Sequence, residues 1–233
     1  MGIYLHELVN VVPARADDYL DGIGEHHGTQ RQQRSEATDS MLGLWTVLEA
    51  SGTWPLGVNL WQNGTWQRQA QALQSQFEPR AQNPELKKWW LANLGLRSGG
   101  FDRILESTPY SLDVAGLRAS GVGGELFLHQ IVRTRAGDVG DFLDAFGADG
   151  VAAAEGEGAQ LVGAYRVCNH DHEAIVILAF RTPRDLARFS GAWHGGSAGS
   201  ALRRWRTHEN AWVRGKDTLL MKPRWFLSSP WHP

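Results

Sequence analysis

The stretch Tyr4-Leu5-His6-Glu7-Leu8-Val9 returns 123 positions later as Phe127-Leu128-His129-Gln130-Ile131-Val132. Both copies alternate and are rich in Val, Ile, Leu and aromatic residues, so residues 3–12 and 126–135 read as strands. Outward from this pair the match continues. Asp18-Tyr19-Leu20-Asp21 lines up with Asp141-Phe142-Leu143-Asp144 at the same offset. Gly43-Leu44-Trp45-Thr46-Val47 resembles Gly163-Ala164-Tyr165-Arg166-Val167 at an offset of 120, and Leu86-Lys87-Lys88-Trp89 matches Leu202-Arg203-Arg204-Trp205 at 116. Four blocks in one order, with an offset that falls steadily, describe a tandem duplication whose second copy has shorter loops.

Each copy reads the same way. Ala16, Tyr19, Leu20 and Ile23, and in the second copy Val139, Phe142, Leu143 and Phe146, fall at i, i+3, i+4, i+7, the apolar stripe of an amphipathic helix. Two strands follow, near 41–49 and 56–62, then near 161–168 and 174–181. A second helical region comes next, over 66–77 with 86–94 in copy one and around Leu186, Phe189 and Trp193 in copy two. Each copy closes in an extended segment, near 104–110 and 219–227. The order β-α-β-β-α-β predicts an α+β chain of two tandem ferredoxin-like units. They span 1–112 and 125–233. Residues 113–124, in a stretch holding four glycines, read as a linker.

Composition narrows the function classes. The 233 residues carry a net charge of −2, which argues against a binder that neutralises nucleic-acid phosphates. One cysteine, Cys168, excludes an intramolecular disulfide framework or a multi-thiolate zinc site, and it reads as structural. No run approaches the ~20 apolar residues of a membrane helix. The N-terminus lacks the basic start and apolar run of a signal peptide, so a cytoplasmic location is expected. Eleven Trp residues stand out and suit either core filling or an aromatic-lined pocket.

Two ferredoxin-like units, each opening with an aromatic-Leu-His strand, resemble the dimeric α/β-barrel superfamily, and within it the NIPSNAP-like branch, whose members often carry two such domains. The resemblance implies two four-stranded sheets closed as a pseudo-dimeric α/β barrel within one chain. It also implies a small-molecule site between a sheet and its helices, and homo-oligomeric assembly through outer surfaces. Members include cofactor-free monooxygenases, polyketide cyclases, isomerases, dehydratases and haem enzymes of the chlorite dismutase type. In the tandem haem enzymes a helical histidine of the C-terminal domain holds the haem, a part His194 or His208 would play here. Neither stands in a recognised haem-ligand motif.

Residue types suited to proton transfer fall on the first strands. Alternation puts Tyr4, His6 and Leu8 on one face and Leu5, Glu7 and Val9 on the other. His6 and the equivalent His129 titrate near neutral pH and suit a general base, or a buried structural pair. Glu7 is an acid on an apolar strand and its equivalent is Gln130, so a proton-transfer site needs it only once. On the helix-covered side, desolvation would raise its pKa. Glu49 is a second carboxylate candidate. His26-His27 with the polar segment to Ser40 could form a lid, and His170-Asp171-His172-Glu173 has metal-like composition in a predicted hairpin turn. No third ligand accompanies those two histidines, so no metal is expected. No phosphate loop, nucleophile elbow or zinc-protease motif occurs.

Three functions remain open. The first is a cofactor-free enzyme with an aromatic pocket. It would cyclise, isomerise or dehydrate an apolar or aromatic, polyketide- or terpenoid-like metabolite. His6, Glu7 and His129 would move protons, and Tyr4, Trp45, Trp61, Phe127 and Tyr165 would line the cavity. The second is an oxygenase, cofactor-free or haem-binding. The third is a ligand-binding protein without catalysis.

Overall fold

The computed structural model describes residues 1–33, 40–49, 52–71, 73–74, 84–195, 199–227 and 229–230, with 25–33, 40, 85, 86, 90 and 229–230 described as backbone alone. The first half contains β1 (Ile3–Val11), α1 (Ala16–Gln33), β2 (Ser40–Val47), β3 (Leu56–Gly64), α2 (66–71), α3 (Pro84–Leu94) and β4 (Arg97–Ser107). After α4 (Val114–Ser120), the second half contains β5 (Leu126–Thr134), α5 (Val139–Ala145), a π-helical turn (Phe146–Gly150) and α6 (Val151–Glu155). It continues through β6 (Ala159–Val167), β7 (Glu173–Phe180), α7 (Pro183–Gly195), α8 (Ala201–Glu209), β8 (Val213–Phe226) and β9 (Ser229–Pro230). The chain is α+β. Strands run in the order β2-β3-β1-β4 in the first half and β6-β7-β5-β8 in the second, so equivalent strands hold equivalent places.

Contacts group the chain into two units, Leu105–Lys222 and Gly2–Ile104 with the stretch from Pro223. The expected linker over 113–124 holds a helix. Asp113 caps α4 by accepting from Gly116 N at 2.8 Å, and Gly121 ends it in the left-handed region.

In the unit built on β1, that strand pairs antiparallel with β3, which sets His6 opposite Leu60 and Glu7 opposite Asn59. Strand β2 pairs with the other edge of β3, with Trp45 opposite Val58. Val9 and Val11 pack with Tyr19, Leu20 and Ile23 of α1 and with Met41, Leu44 and Trp61. The period-two side of β1 thus meets the 3.6-period stripe of α1, and each fully buried apolar side chain there contributes roughly 1.5–3 kcal/mol. Helix α1 begins with Asp17 and Asp18 in its first turn, where negative charge suits the helix dipole. It continues through His26-His27 to Gln33, so the first part of the expected polar lid is helical. The rest of that segment, 34–39, and the two histidine side chains lie outside the described residues.

In the other unit β7 pairs with β5 and with β6, and all eight of its residues are buried. Phe142, Phe146, Phe180, Phe189, Leu202 and Trp205 fill the layer between this sheet and its helices. The second helical region is two helices, α7 and α8, the latter capped by Ser200. Strands β4 and β8 begin earlier than the apolar pattern predicts, at Arg97 and Val213. Residues 98–102 of β4 are exposed and carry no alternation to read.

Candidate active site

Glu7 is the one carboxylate that β1 directs toward the helix-covered side. Its Oε2 accepts from Trp61 Nε1 at 2.7 Å and from Asn59 Nδ2 at 3.0 Å, both on the adjacent strand β3. The same Asn59 nitrogen donates to the Tyr19 hydroxyl of α1 at 2.7 Å. An ionised carboxylate only accepts hydrogen bonds, so its contact with Glu7 fixes which end of the Asn59 amide is nitrogen. Asn59 and Tyr19 are fully buried and Trp61 nearly so, whereas Glu7 is half-buried. Among the described residues, Glu7 Oε1 and Asn59 Oδ1 have no hydrogen-bond partner. Gly57 makes room for the tyrosine ring, since a Cβ there would lie 3.1 Å from Tyr19 Cε1.

The strand next to β1 supplies charge. The Arg97 guanidinium of β4 lies 5.2 Å from the centre of the Tyr19 ring, a cation–π distance. Arg97 and Asp102 line a cleft of about 320 Å³ together with Val9, Leu94, Gly99 and Gly100. Burial, followed by the charge of Glu7, pushes the Tyr19 phenol far above its ordinary pKa, with Arg97 and Asn59 opposing. Desolvation, then Glu7, also raises the Asp102 carboxyl, and Arg97 pulls it back. The result is an anchored carboxylate whose charge is felt by Asp102, a carboxyl shifted toward its protonated form, and by Tyr19; Asp102 and the Arg97 cation line the cleft with Val9 and Leu94.

The matched sequence blocks and the shared strand order allow the two halves to be compared position by position. Glu7, Tyr19, Asn59 and Trp61 correspond to Gln130, Phe142, Val176 and Leu178 by block and strand register. The polar network is thus confined to copy one, and the second copy fills the equivalent positions with apolar or neutral groups. Tyr19 and Asn59 escaped the sequence reading. The Tyr19/Phe142 difference lies inside a matched block, and aligning the third strands exposes Asn59 against Val176.

His6 and Tyr4 lie on the face of β1 opposite Glu7, as alternation requires. His129 is likewise on the face of β5 opposite Gln130, while Leu128 and Val132 join the core beneath the helices. Both histidines are fully buried. Tyr4, Trp45, Phe127 and Tyr165 are 1% exposed or less and line neither of the two clefts bordered by Arg97–Asp102 and by Gly158–Asp185. They are core; Trp45 packs against Phe226 with ring centres 6.1 Å apart. Of the expected pocket aromatics, only Trp61 joins the Glu7 network.

The haem ligands expected from the resemblance do not fit that cofactor. His194 is exposed at the end of α7. His208 is exposed on α8 between Trp205 and Trp212, with its Nδ1 3.9 Å from Asp149. The sheet–helix layer of that unit is packed with the aromatic side chains named above, and neither histidine lines a described cleft. Glu49 is exposed. His172 pairs with its neighbour Asp171, and Glu173 with Arg133 at 3.8 Å. Among the described residues no three His, Cys, Asp or Glu side chains are grouped to hold a metal. Burial raises the Cys168 thiol and so disfavours its thiolate. No described helix is long and apolar enough to cross a membrane.

The sequence matches no family model and no curated protein. Solved structures match the fold over nearly the whole chain. An anthrone oxidase-like protein superposes with a TM-score of 0.64 at 7% identity, covering 95% of this chain and 91% of its own. A candidate monooxygenase from Lactobacillus acidophilus NCFM gives 0.60 at 10% identity, over 95% of this chain and 93% of its own. A chlorite dismutase variant from Candidatus Nitrospira defluvii gives 0.52 at 13% identity, over 95% and 91%. At such identities the likeness is one of fold alone.

Proposed function

We propose that the chain is an enzyme of small-molecule metabolism in which Glu7 is the general base, acting on an apolar, weakly acidic substrate in the cleft beside β1 and β4. The observation that carries this reading is the anchoring of Glu7. One carboxylate oxygen is held by two donors and the other has no partner among the described residues. Such an arrangement aims a base at a substrate proton without neutralising it. The reading takes each half as a ferredoxin-like repeat, supported by the shared strand order. Copy one carries the chemistry, and copy two, lacking the network, is its structural counterpart. Trp61 acts as the positioning donor. His6 and His129 lie on other faces and are not in this set.

The chemistry available to an anchored carboxylate is proton transfer, as in isomerisation, cyclisation or dehydration. A second reading is cofactor-free oxidation, in which the same base ionises a phenol or an activated carbon that then reacts with oxygen. It draws support from the names of the monooxygenase and anthrone oxidase-like neighbours.

The test is hydrogen–deuterium exchange in D2O on 2-tetralone, an apolar ketone with acidic C–H groups beside its carbonyl, followed by NMR. Wild type should accelerate exchange over buffer, and Glu7→Gln should abolish the acceleration while His6→Ala retains it. A Glu7→Gln variant that exchanges as fast as wild type refutes the assignment. Oxygen uptake with anthrone, absent in Glu7→Gln, would select the oxidative branch.

A further inference from the structure

We propose that a hydroxyl group occupies a buried position between Tyr19 and Asn59, beside Glu7, where it accepts from the Tyr19 hydroxyl and donates to Asn59 Oδ1. It is supplied either by a water or by the substrate, an apolar molecule that then carries a hydroxyl. The site itself stands without the proposed role of Glu7; its filling by substrate rests on that reading.

Two fully buried polar groups carry the inference. Asn59 gives both amide protons away, to Glu7 Oε2 at 3.0 Å and to the Tyr19 oxygen at 2.7 Å, and its Oδ1 has no partner among the described residues. Tyr19 receives that N–H, and among the described residues its own O–H proton has no acceptor. Burial, then the charge of Glu7, pushes the phenol up, so the proton stays on the oxygen and has to be placed. Inverting the Asn59 amide does not pair the two groups. Oδ1 would then face the Glu7 carboxylate at 3.0 Å, and the amide nitrogen would be left without an acceptor. An unpaired donor and an unpaired acceptor in the interior are both unfavourable, and native folds pair such groups with protein, water or ligand.

The geometry fits one bridging oxygen. The oxygen and nitrogen of an amide are ~2.25 Å apart, so the 2.7 Å bond places the Tyr19 oxygen about 3.6–4.8 Å from Asn59 Oδ1, whichever amide proton it takes. An oxygen with two hydrogen bonds of ordinary length spans up to about 5.6 Å. The fold builds the position from alternate residues of β3. Gly57, Asn59 and Trp61 share one face of that strand, opposite Val9, Glu7 and Leu5 of β1. Gly57 lets the Tyr19 ring lie against β3 and reach Asn59, since a Cβ there would stand 3.1 Å from Tyr19 Cε1. The second half carries Phe142 and Val176 at the matching positions and has neither group.

The experiment is a high-resolution crystal structure of wild type and of Tyr19→Phe, each alone and soaked with phenol or with toluene, its isostere without the hydroxyl. Titration calorimetry of the two probes accompanies it. Tyr19→Phe removes one oxygen and installs the residue that the second half carries there, Phe142, so the fold should hold. Wild type should show an oxygen about 2.6–3.2 Å from both Tyr19 Oη and Asn59 Oδ1, and Tyr19→Phe should lose it. If the substrate is the source, the phenol hydroxyl takes that place, and phenol binds at least about 10-fold tighter than toluene in wild type but not in Tyr19→Phe. If the source is water, the oxygen remains in the phenol soak and the two probes bind alike. Wild type with no oxygen there, alone or with phenol, overturns the proposal. So does an oxygen that persists in Tyr19→Phe. None of these outcomes turns on proton transfer by Glu7, so 2-tetralone exchange that survives Glu7→Gln overturns the base assignment and leaves this site standing.

Discussion

Replacing Asn59 with aspartate exchanges one NH2 for an oxygen and inverts the electrostatics beneath the cleft. In the native protein the Asn59 amide nitrogen is 3.0 Å from Glu7 Oε2 and 2.7 Å from the Tyr19 hydroxyl, at a fully buried position. In Asn59→Asp an oxygen takes that place. Two unit charges at this separation repel by about 5 kcal/mol at an effective dielectric constant of ~20. The pair avoids this by retaining a proton, as neighbouring carboxyls do, so the folded-state pKa of one of them rises above its unfolded value near ~4. For a raised carboxyl, the protonated form stabilises the fold below the unfolded pKa, and that contribution is lost as pH rises through the folded pKa. A rise of ~3 units would cost about 4 kcal/mol at neutral pH, and the partial exposure of Glu7 reduces this to about 2 kcal/mol. The assay is urea denaturation of wild type, Asn59→Asp and Asn59→Leu at about pH 4 and about pH 7.5. Leucine removes the same two donors without adding charge, so its penalty should be similar at both pH values. Aspartate should cost about 2 kcal/mol more than leucine at the higher pH and close to nothing more at the lower. Equal losses for the two variants at both pH values would refute the placement of an ionised Glu7 against Asn59.

Other perturbations test separate parts of the structure. Trp61→Phe keeps the ring packing but removes the 2.7 Å donor to Glu7, and should lower 2-tetralone exchange by about 10-fold with a loss of about 1.5–3 kcal/mol in urea denaturation. Gly100→Ala drives a Cβ to 2.8 Å from the Leu8 carbonyl oxygen and should cost about 1–3 kcal/mol, whereas Gly215→Ala meets nothing within 4 Å and should stay within about 0.5 kcal/mol of wild type by the same assay. Lys216 donates to both oxygens of Glu209, at 2.8 and 2.6 Å, in a site where the Glu209 side chain is 6% exposed. Lys216→Met should cost about 3–5 kcal/mol, with much of the loss recovered in the double variant Lys216→Met/Glu209→Leu. Burial pushes the Tyr110 phenol up to about 12, and its hydroxyl donates to the Leu143 carbonyl at 2.8 Å. Its contribution to stability is present below the unfolded tyrosine pKa near ~10 and fades as pH rises toward 12. A spectrophotometric titration should therefore lose a late-ionising component in Tyr110→Phe, while the one contributed by Tyr19 remains.

The sequence by itself carried the matched blocks, the strand and helix periods and the faces of the first strands. These are local quantities: period two and period 3.6 are written in neighbouring residues, and a repeat needs only comparison of the chain with itself. They sufficed to put Glu7 and His6 on opposite faces of the first strand, but not to say which face the helices cover, and they set Glu7 apart from its counterpart Gln130. Where the apolar pattern lapses, the reading lapses too. The exposed start of β4 was missed for that reason, and the glycines of 113–124 concealed a capped helix. Only the tertiary structure decided which groups meet. Asn59 and Trp61 reach Glu7 from a neighbouring strand, 52 and 54 positions away in the chain, and Tyr19 of a helix joins through Asn59. Asp102 enters the cleft through the left-handed backbone of Gly99. The aromatics expected to line a pocket pack as core instead, because the composition that suits an apolar cavity also suits a close-packed interior. Strand register and backbone handedness at a single glycine are set by the whole sheet, and no window of sequence carries them.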